Sequence, residues 1–267
     1  MIELFENELF ESGRNSSKGN QLKWKRDGIW YKTDYTGYEG LSEYMVSHLL
    51  TYSDLNPDAY ILYETEEIKY KNTTFLGCKS KDFLDKDAQL ITLERLFKNQ
   101  RGISLNSMIW KTPEENRASM IVSETEKLTG ISGFGKYFLN MMAIDALFLN
   151  EDRHTHNIAL VEKNGRYSPS PIFDNGASLL SDTTLDYPMG RDIYELIPTC
   201  KAKTFNRDFS EQLAQAELNF GKAPLFSFNY KEVKELLDKE SFYPDEVKNR
   251  VLQIIMEQRR KYIYMFV

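Results

Sequence analysis

The sequence predicts an α+β protein with a small β-rich lobe followed by a larger helical one. Two patterns predict it. Residues 22–33, 60–63 and 66–78 hold short aromatic and β-branched runs of strand length, whereas the later chain is dominated by apolar runs of helical length. At 267 residues the chain suits one large domain or two modest lobes, and no internal repeat or low-complexity tract interrupts it. The joint is expected near residues 77–82, giving an N-lobe over 1–79 and a C-lobe over 80–267.

Residues 22–33 read as a β-hairpin turning at Asp27-Gly28. A two-residue turn sets Lys23 opposite Lys32, which brings like charges together. A three-residue turn, Arg26-Asp27-Gly28 with Gly28 left-handed, pairs Leu22 with Lys32 and Trp24 with Trp30, and is the expected register. It leaves Lys32 at the end of an apolar face, where a lysine needs an anionic partner. Residues 39–52 then read as a helix with Leu41, Met45 and Leu49 on one stripe. Two strands follow, over 60–63 and 66–78. Helices are expected over 115–127, ended by Gly130, and over 137–149, 230–237 and 244–264. The run 137–149 is nearly all apolar yet too short to span a bilayer, so it reads as buried, and Asp145 within it needs a partner.

Composition narrows the function. Forty acidic residues against 34 basic ones leave a net charge of −6, which argues against a protein built to grip nucleic-acid phosphates. No apolar run approaches the roughly 18 residues of a membrane span, and residues 1–7 lack the pattern of a signal peptide. The two cysteines, Cys78 and Cys200, are too few for a disulfide framework and too far apart for a Cys-based zinc site. Reduced thiols in the cytoplasm are expected, with secretion as an effector left open.

The chemistry concentrates after the buried helix. There the chain reads Asn150-Glu151-Asp152-Arg153-His154-Thr155-His156-Asn157, then a strand-like run and a turn back to Phe173-Asp174-Asn175-Gly176. An Asp to take a hydroxyl proton, with an Asn and a second Asp to hold Mg²⁺, is what phosphoryl transfer from ATP needs. The transferring group gains little from covalent help, so metal, charge and alignment carry such a reaction. Upstream, residues 11–20 combine small residues, two glycines, Arg14 and Lys18, a composition that suits backbone amides meeting phosphate.

The pattern Asn150-x-Asp152-Arg153-His154-x-x-Asn157 followed by Phe173-Asp174 resembles the catalytic segment of the HipA-like serine/threonine kinases. The stretches 32–44, 78–83 and 174–178 extend the resemblance to a compact branch of that family, over residues 10–220. It implies a two-lobed protein-kinase-like fold and an ATP- and Mg²⁺-dependent enzyme that phosphorylates Ser or Thr of a protein substrate. Asp152 takes the place of the base, Asn157 and Asp174 of the metal ligands, and Lys32 of the lysine on the ATP phosphates. Glu43 pairs with Lys32, with Glu39 as its competitor. His154 lies close to the nucleotide, and Cys78, Lys79 and Ser80 form the hinge beside adenine. The loop holding Ser16, Ser17, Lys18 and Gly19 covers the phosphates, and Ser16 or Ser17 is a candidate for autophosphorylation that silences the enzyme. The family further implies a toxin-type or effector role and an antitoxin or other small partner protein.

Three other readings compete. His154 and His156 as a His-x-His metal pair with Asp152 and Asp174 would suit a hydrolase, but His48 is the chain's only other histidine and lies on a helix of structural character. A pseudokinase would keep the fold without the reaction. A small-molecule or lipid phosphotransferase is a third possibility, although aminoglycoside-type kinases carry a histidine where this chain has Asn150.

Overall fold

The computed structural model describes residues 1–10 and 21–267, so Ser16, Ser17, Lys18 and Gly19 lie outside the described residues. The first elements are β1 (Ile2–Leu4), β2 (Lys23–Arg26), β3 (Ile29–Thr33), α1 (Glu39–Leu50), β4 (Tyr63–Tyr70) and β5 (Thr73–Lys81). After them come β6 (Ala88–Thr92), α2 (Leu93–Arg101), α3 (Leu105–Lys111), α4 (Arg117–Thr129), α5 (Phe134–Phe148), β7 (Ala159–Lys163) and β8 (Arg166–Pro169). The chain closes with α6 (Ile193–Leu196), α7 (Phe209–Phe220), α8 (Tyr230–Lys239) and α9 (Asp245–Lys261). Two compact units result. The first comprises Met1–Asp82, Phe173–Thr199 and Leu225–Val267, and the second Phe83–Ile172 and Cys200–Pro224.

The first unit is built on a five-stranded sheet ordered β1-β4-β5-β3-β2. Its β2–β3 hairpin departs from the expected register. Lys23 faces Lys32, Trp24 faces Tyr31 and Arg26 faces Ile29, which leaves a two-residue Asp27-Gly28 turn. Both turn residues have positive φ (51° and 74°), the geometry whose twist matches the flanking strands. The like-charge objection fails because the Lys32 ammonium is matched by two carboxylates. A second correction concerns 66–78, which is not one strand. β4 and β5 form a hairpin turning at Lys71 and Asn72, with Lys71 left-handed at φ 55°. Trp24 and Tyr31 share a buried face with Leu4 and Ile68, so the apolar face of the hairpin is theirs rather than that of Lys32.

α1 lies against this sheet through glycine. A Cβ on Gly40 would meet the Gly77 carbonyl carbon at 2.5 Å, and one on Gly77 would meet the Lys32 carbonyl oxygen at 2.0 Å. Helix and strand therefore approach closely where Glu43 leaves α1. Three more hydrogen bonds fix the helix to the chain after Asp174. The Tyr38 hydroxyl donates to the Leu179 carbonyl (2.6 Å), Ser42 Oγ to Ser178 (3.0 Å) and the Tyr38 N–H to Ser181 (3.2 Å).

The second unit is organised around α5, whose apolar run is buried as expected. Phe138 stacks on Phe205 with ring centroids 5.7 Å apart and meets Phe220 edge-on. A three-stranded antiparallel sheet, β6-β7-β8, completes the unit. Gly130 ends α4 at φ 72°, and Leu149 ends α5 at φ 57° and turns the chain into the polar loop. Among the described residues no helix is long and apolar enough to cross a membrane.

Candidate active site

Two clusters hold the chemistry, one in each unit. In the first, Lys32 on β3 donates from Nζ to Glu43 Oε1 (2.9 Å) and to Asp174 Oδ1 (2.8 Å). The second oxygen of Glu43, Oε2, accepts the Asn175 N–H at 2.8 Å. Burial opposes the charge of Lys32, but the Asp174 and Glu43 carboxylates outweigh it and hold the lysine well above its usual pKa. Its ammonium also lies 5.3 Å from the Tyr63 ring centroid, a cation–π contact. Asp174 sits in the left-handed region at φ 62°, a conformation retained only where its surroundings hold it. Its side chain stays 28% exposed, so a ligand can reach the carboxylate.

Glu39, the competing partner, is engaged elsewhere. Its carboxylate accepts the N–H groups of Tyr35, Thr36 and Gly37 and the Thr36 hydroxyl at the start of α1. That carboxylate is therefore committed to the turn of residues 35–37 that leads into α1. Cys78, Lys79 and Ser80 lie inside β5, paired with β3 on one side and β4 on the other, and the connection out of the sheet begins after Lys81. Cys78 stands opposite Lys32 in the ladder, and burial and then Glu43 push its thiol far up, so it stays protonated.

In the second unit the loop after α5 is fastened from beneath. Arg153 Nε donates to both Asp145 oxygens (3.1 and 3.2 Å), and its Nη1 donates to the Asn157 carbonyl (3.1 Å). Asp145 thus has the partner its burial demands. Asn157 Nδ2 donates to the Asp152 carbonyl (2.8 Å) and lies 3.4 Å from Asp152 Oδ2. That pairing identifies which end of the amide is the oxygen. Asp152 Oδ1 faces His154 Nε2 at 3.9 Å and Lys203 Nζ at 3.6 Å. His154 Nδ1 is buried without a hydrogen-bond partner, and His156 is exposed, its ring edge-on to His154. Among the described residues no group of three or more His, Cys, Asp or Glu side chains is arranged to hold a metal.

Lys203 carried no signal in the sequence. It is far from Asp152 along the chain and sits in no motif, and only the fold brings them together. Thr204 beside it donates its hydroxyl to the Arg153 carbonyl, another contact invisible to local pattern.

A sheet unit carrying a Lys–Glu pair beside an acidic residue, and a helical unit carrying an Asp–Asn loop, define a protein-kinase-like fold. Among solved structures, the proinflammatory kinase CtkA of Helicobacter pylori is similar to the chain at 18% identity, covering 99% of this chain and 96% of that one with a TM-score of 0.64. HipA of Shewanella oneidensis, solved with HipB and operator DNA as a toxin–antitoxin system, is similar at 12% identity, covering 96% of this chain and 63% of that one with a TM-score of 0.46. The fold assignment rests on the first of these and agrees with the HipA-like resemblance of the motifs. No family model and no curated protein matches the sequence.

Proposed function

We propose that the chain is an ATP- and Mg²⁺-dependent kinase that transfers the γ-phosphate to Ser or Thr of a protein. One observation supports the reading: Lys32 bridges the buried Glu43 at 2.9 Å and Asp174 at 2.8 Å, the pairing expected of a phosphate-binding lysine beside an acidic metal ligand. The donors suit the ion, because a carboxylate and a carboxamide oxygen are hard ligands of the kind Mg²⁺ takes. Asp174 and Asn157 would hold it, and when bound it neutralises charge on the phosphates. Lys32 orients the α- and β-phosphates, and Glu43 keeps the ammonium aimed. Asp152 accepts the proton of the attacking hydroxyl as its oxygen bonds to the γ-phosphorus. The bond from that phosphorus to the bridging oxygen breaks, and ADP departs with the electron pair. Arg153, held on Asp145, fixes the loop that carries Asp152 and Asn157.

The choice of Ser and Thr, a toxin-type or effector role and an antitoxin or other small partner protein come from the resemblance of the motifs. A cytoplasmic location fits the two free thiols, Cys78 and Cys200. Incubation with labelled ATP and Mg²⁺, with and without cell lysate, tests the reading. Label on protein Ser or Thr supports it. Nucleotide binding without transfer makes the chain a pseudokinase, and label on lipid or small molecules makes it another phosphotransferase.

A further inference from the structure

We propose that Lys203 is a second cationic catalytic residue, one that contacts the transferring phosphoryl group beside Asp152. The proposal rests on the kinase reading and deepens it. Lys203 Nζ lies 3.6 Å from Asp152 Oδ1, longer than a close hydrogen bond, and its side chain is 42% exposed. An exposed pair of this kind contributes little to stability, yet its backbone is firmly placed. Ala202, Thr204, Phe205 and Asn206 on either side are buried, and Lys203 is the one exposed residue of 202–206. The Ala202 N–H donates to the Arg207 carbonyl at 3.0 Å, and the Thr204 hydroxyl donates to the Arg153 carbonyl within the loop. The N–H groups of Phe205 and Asn206 both donate to Gln212 Oε1 (3.1 and 3.3 Å). A fixed platform thus presents one ammonium to the outside, next to the base.

The position matters because the base must lie within hydrogen-bond reach of the attacking oxygen. The phosphoryl group accepting that oxygen is then a neighbour of Asp152, and so of Lys203. Its ammonium has three N–H donors, and the approach to Asp152 occupies one direction. In the transition state the ammonium stabilises the equatorial oxygens of the phosphoryl group while the hydroxyl proton passes to Asp152.

The test compares the parent with Lys203→Met, Lys203→Arg and Lys203→Cys, the last before and after alkylation with 2-bromoethylamine. Alkylation attaches an aminoethyl group to sulfur and rebuilds a lysine-length amine, and the native Cys78 and Cys200 are buried and spared. Lys203→Met is expected to lower kcat by about 100-fold with KM for MgATP and melting temperature unchanged. Lys203→Arg retains part of the activity, and alkylated Lys203→Cys recovers most of it. Calorimetry supplies an arm that needs no turnover: the parent binds MgADP with aluminium fluoride more tightly than MgADP alone, and Lys203→Met loses that advantage. A Lys203→Met protein with parental kcat, or one that unfolds early and is not rescued by the amine, overturns the proposal. A parent that binds nucleotide with no preference for aluminium fluoride overturns it while leaving nucleotide binding intact. A parent that binds no nucleotide ends the kinase reading and this one together.

Discussion

Arg153 and Asp145 form an ion pair sealed from solvent, with side chains 1% and 0% exposed and Nε 3.1 Å from Oδ1. Burial pushes the carboxyl up to about 6 against the pull of the guanidinium. Removing one partner of such a pair strands the other charge, so Asp145→Ala should cost about 3–5 kcal/mol in chemical denaturation. Activity should fall as well, because Arg153 also holds the Asn157 carbonyl.

Lys32→Ala should lose phosphate transfer and destabilise the protein together. Glu43 is left with a buried carboxylate and no cation, a cost of about 3 kcal/mol. Lys32→Arg should not restore turnover, since a planar guanidinium cannot occupy the same point between two carboxylates. Calorimetry with a non-hydrolysable ATP analogue, beside a melting curve for each variant, checks both halves.

Gly40→Ala should drive α1 away from β5, and Gly77→Ala should drive β5 away from β3, because in each case the added methyl meets backbone of the neighbouring element. Overpacking of this kind costs about 1–3 kcal/mol. Glu43 would shift with α1 in the first variant and Lys32 with β3 in the second, so turnover should fall in both even at temperatures where they remain folded.

Asp34 sets a pH dependence. Its carboxylate accepts the Gly40 N–H (2.6 Å) and the Tyr243 hydroxyl (2.7 Å), and burial, then Glu39, pushes it from 3.8 up to about 7. The folded-state value lies above the unfolded one, so the folded chain binds the proton more tightly. The associated stability is complete below about pH 4 and is lost as pH rises through about 7. Across that window the parent should lose up to about 1.4 kcal/mol per pH unit relative to Asp34→Asn, which carries no proton to lose. Denaturant titrations of both proteins at several pH values measure the difference.

The polar loop and the helix before it are legible in sequence because both are local: α5 is one apolar run, and Asp152 and Asn157 sit five residues apart on one turn of chain. The β2–β3 hairpin is legible from Asp27-Gly28, but its register is not. The like-charge rule counts Lys23 against Lys32 and cannot see Asp174 arriving from far along the chain to match the charge. Lys71 and Asn72 hide the β4–β5 turn because neither glycine nor proline marks it. Glu39 and Glu43 are indistinguishable by helix position, and the structure separates them by what each carboxylate accepts. β1 pairs parallel to β4, and Lys203 meets Asp152, through tertiary placement that no local pattern encodes.

Transfer of labelled phosphate from MgATP by the parent, Asp152→Ala and Asp174→Ala bears most directly on the kinase assignment. The parent should label protein Ser or Thr. Both variants should fall by at least about 1,000-fold, the loss of some 4 kcal/mol of transition-state stabilisation. Their melting temperatures should change little, since both carboxylates are partly exposed and Lys32 keeps Glu43 when Asp174 is gone. A parent that transfers no phosphate, or either variant with near-parental turnover, would contradict the assignment.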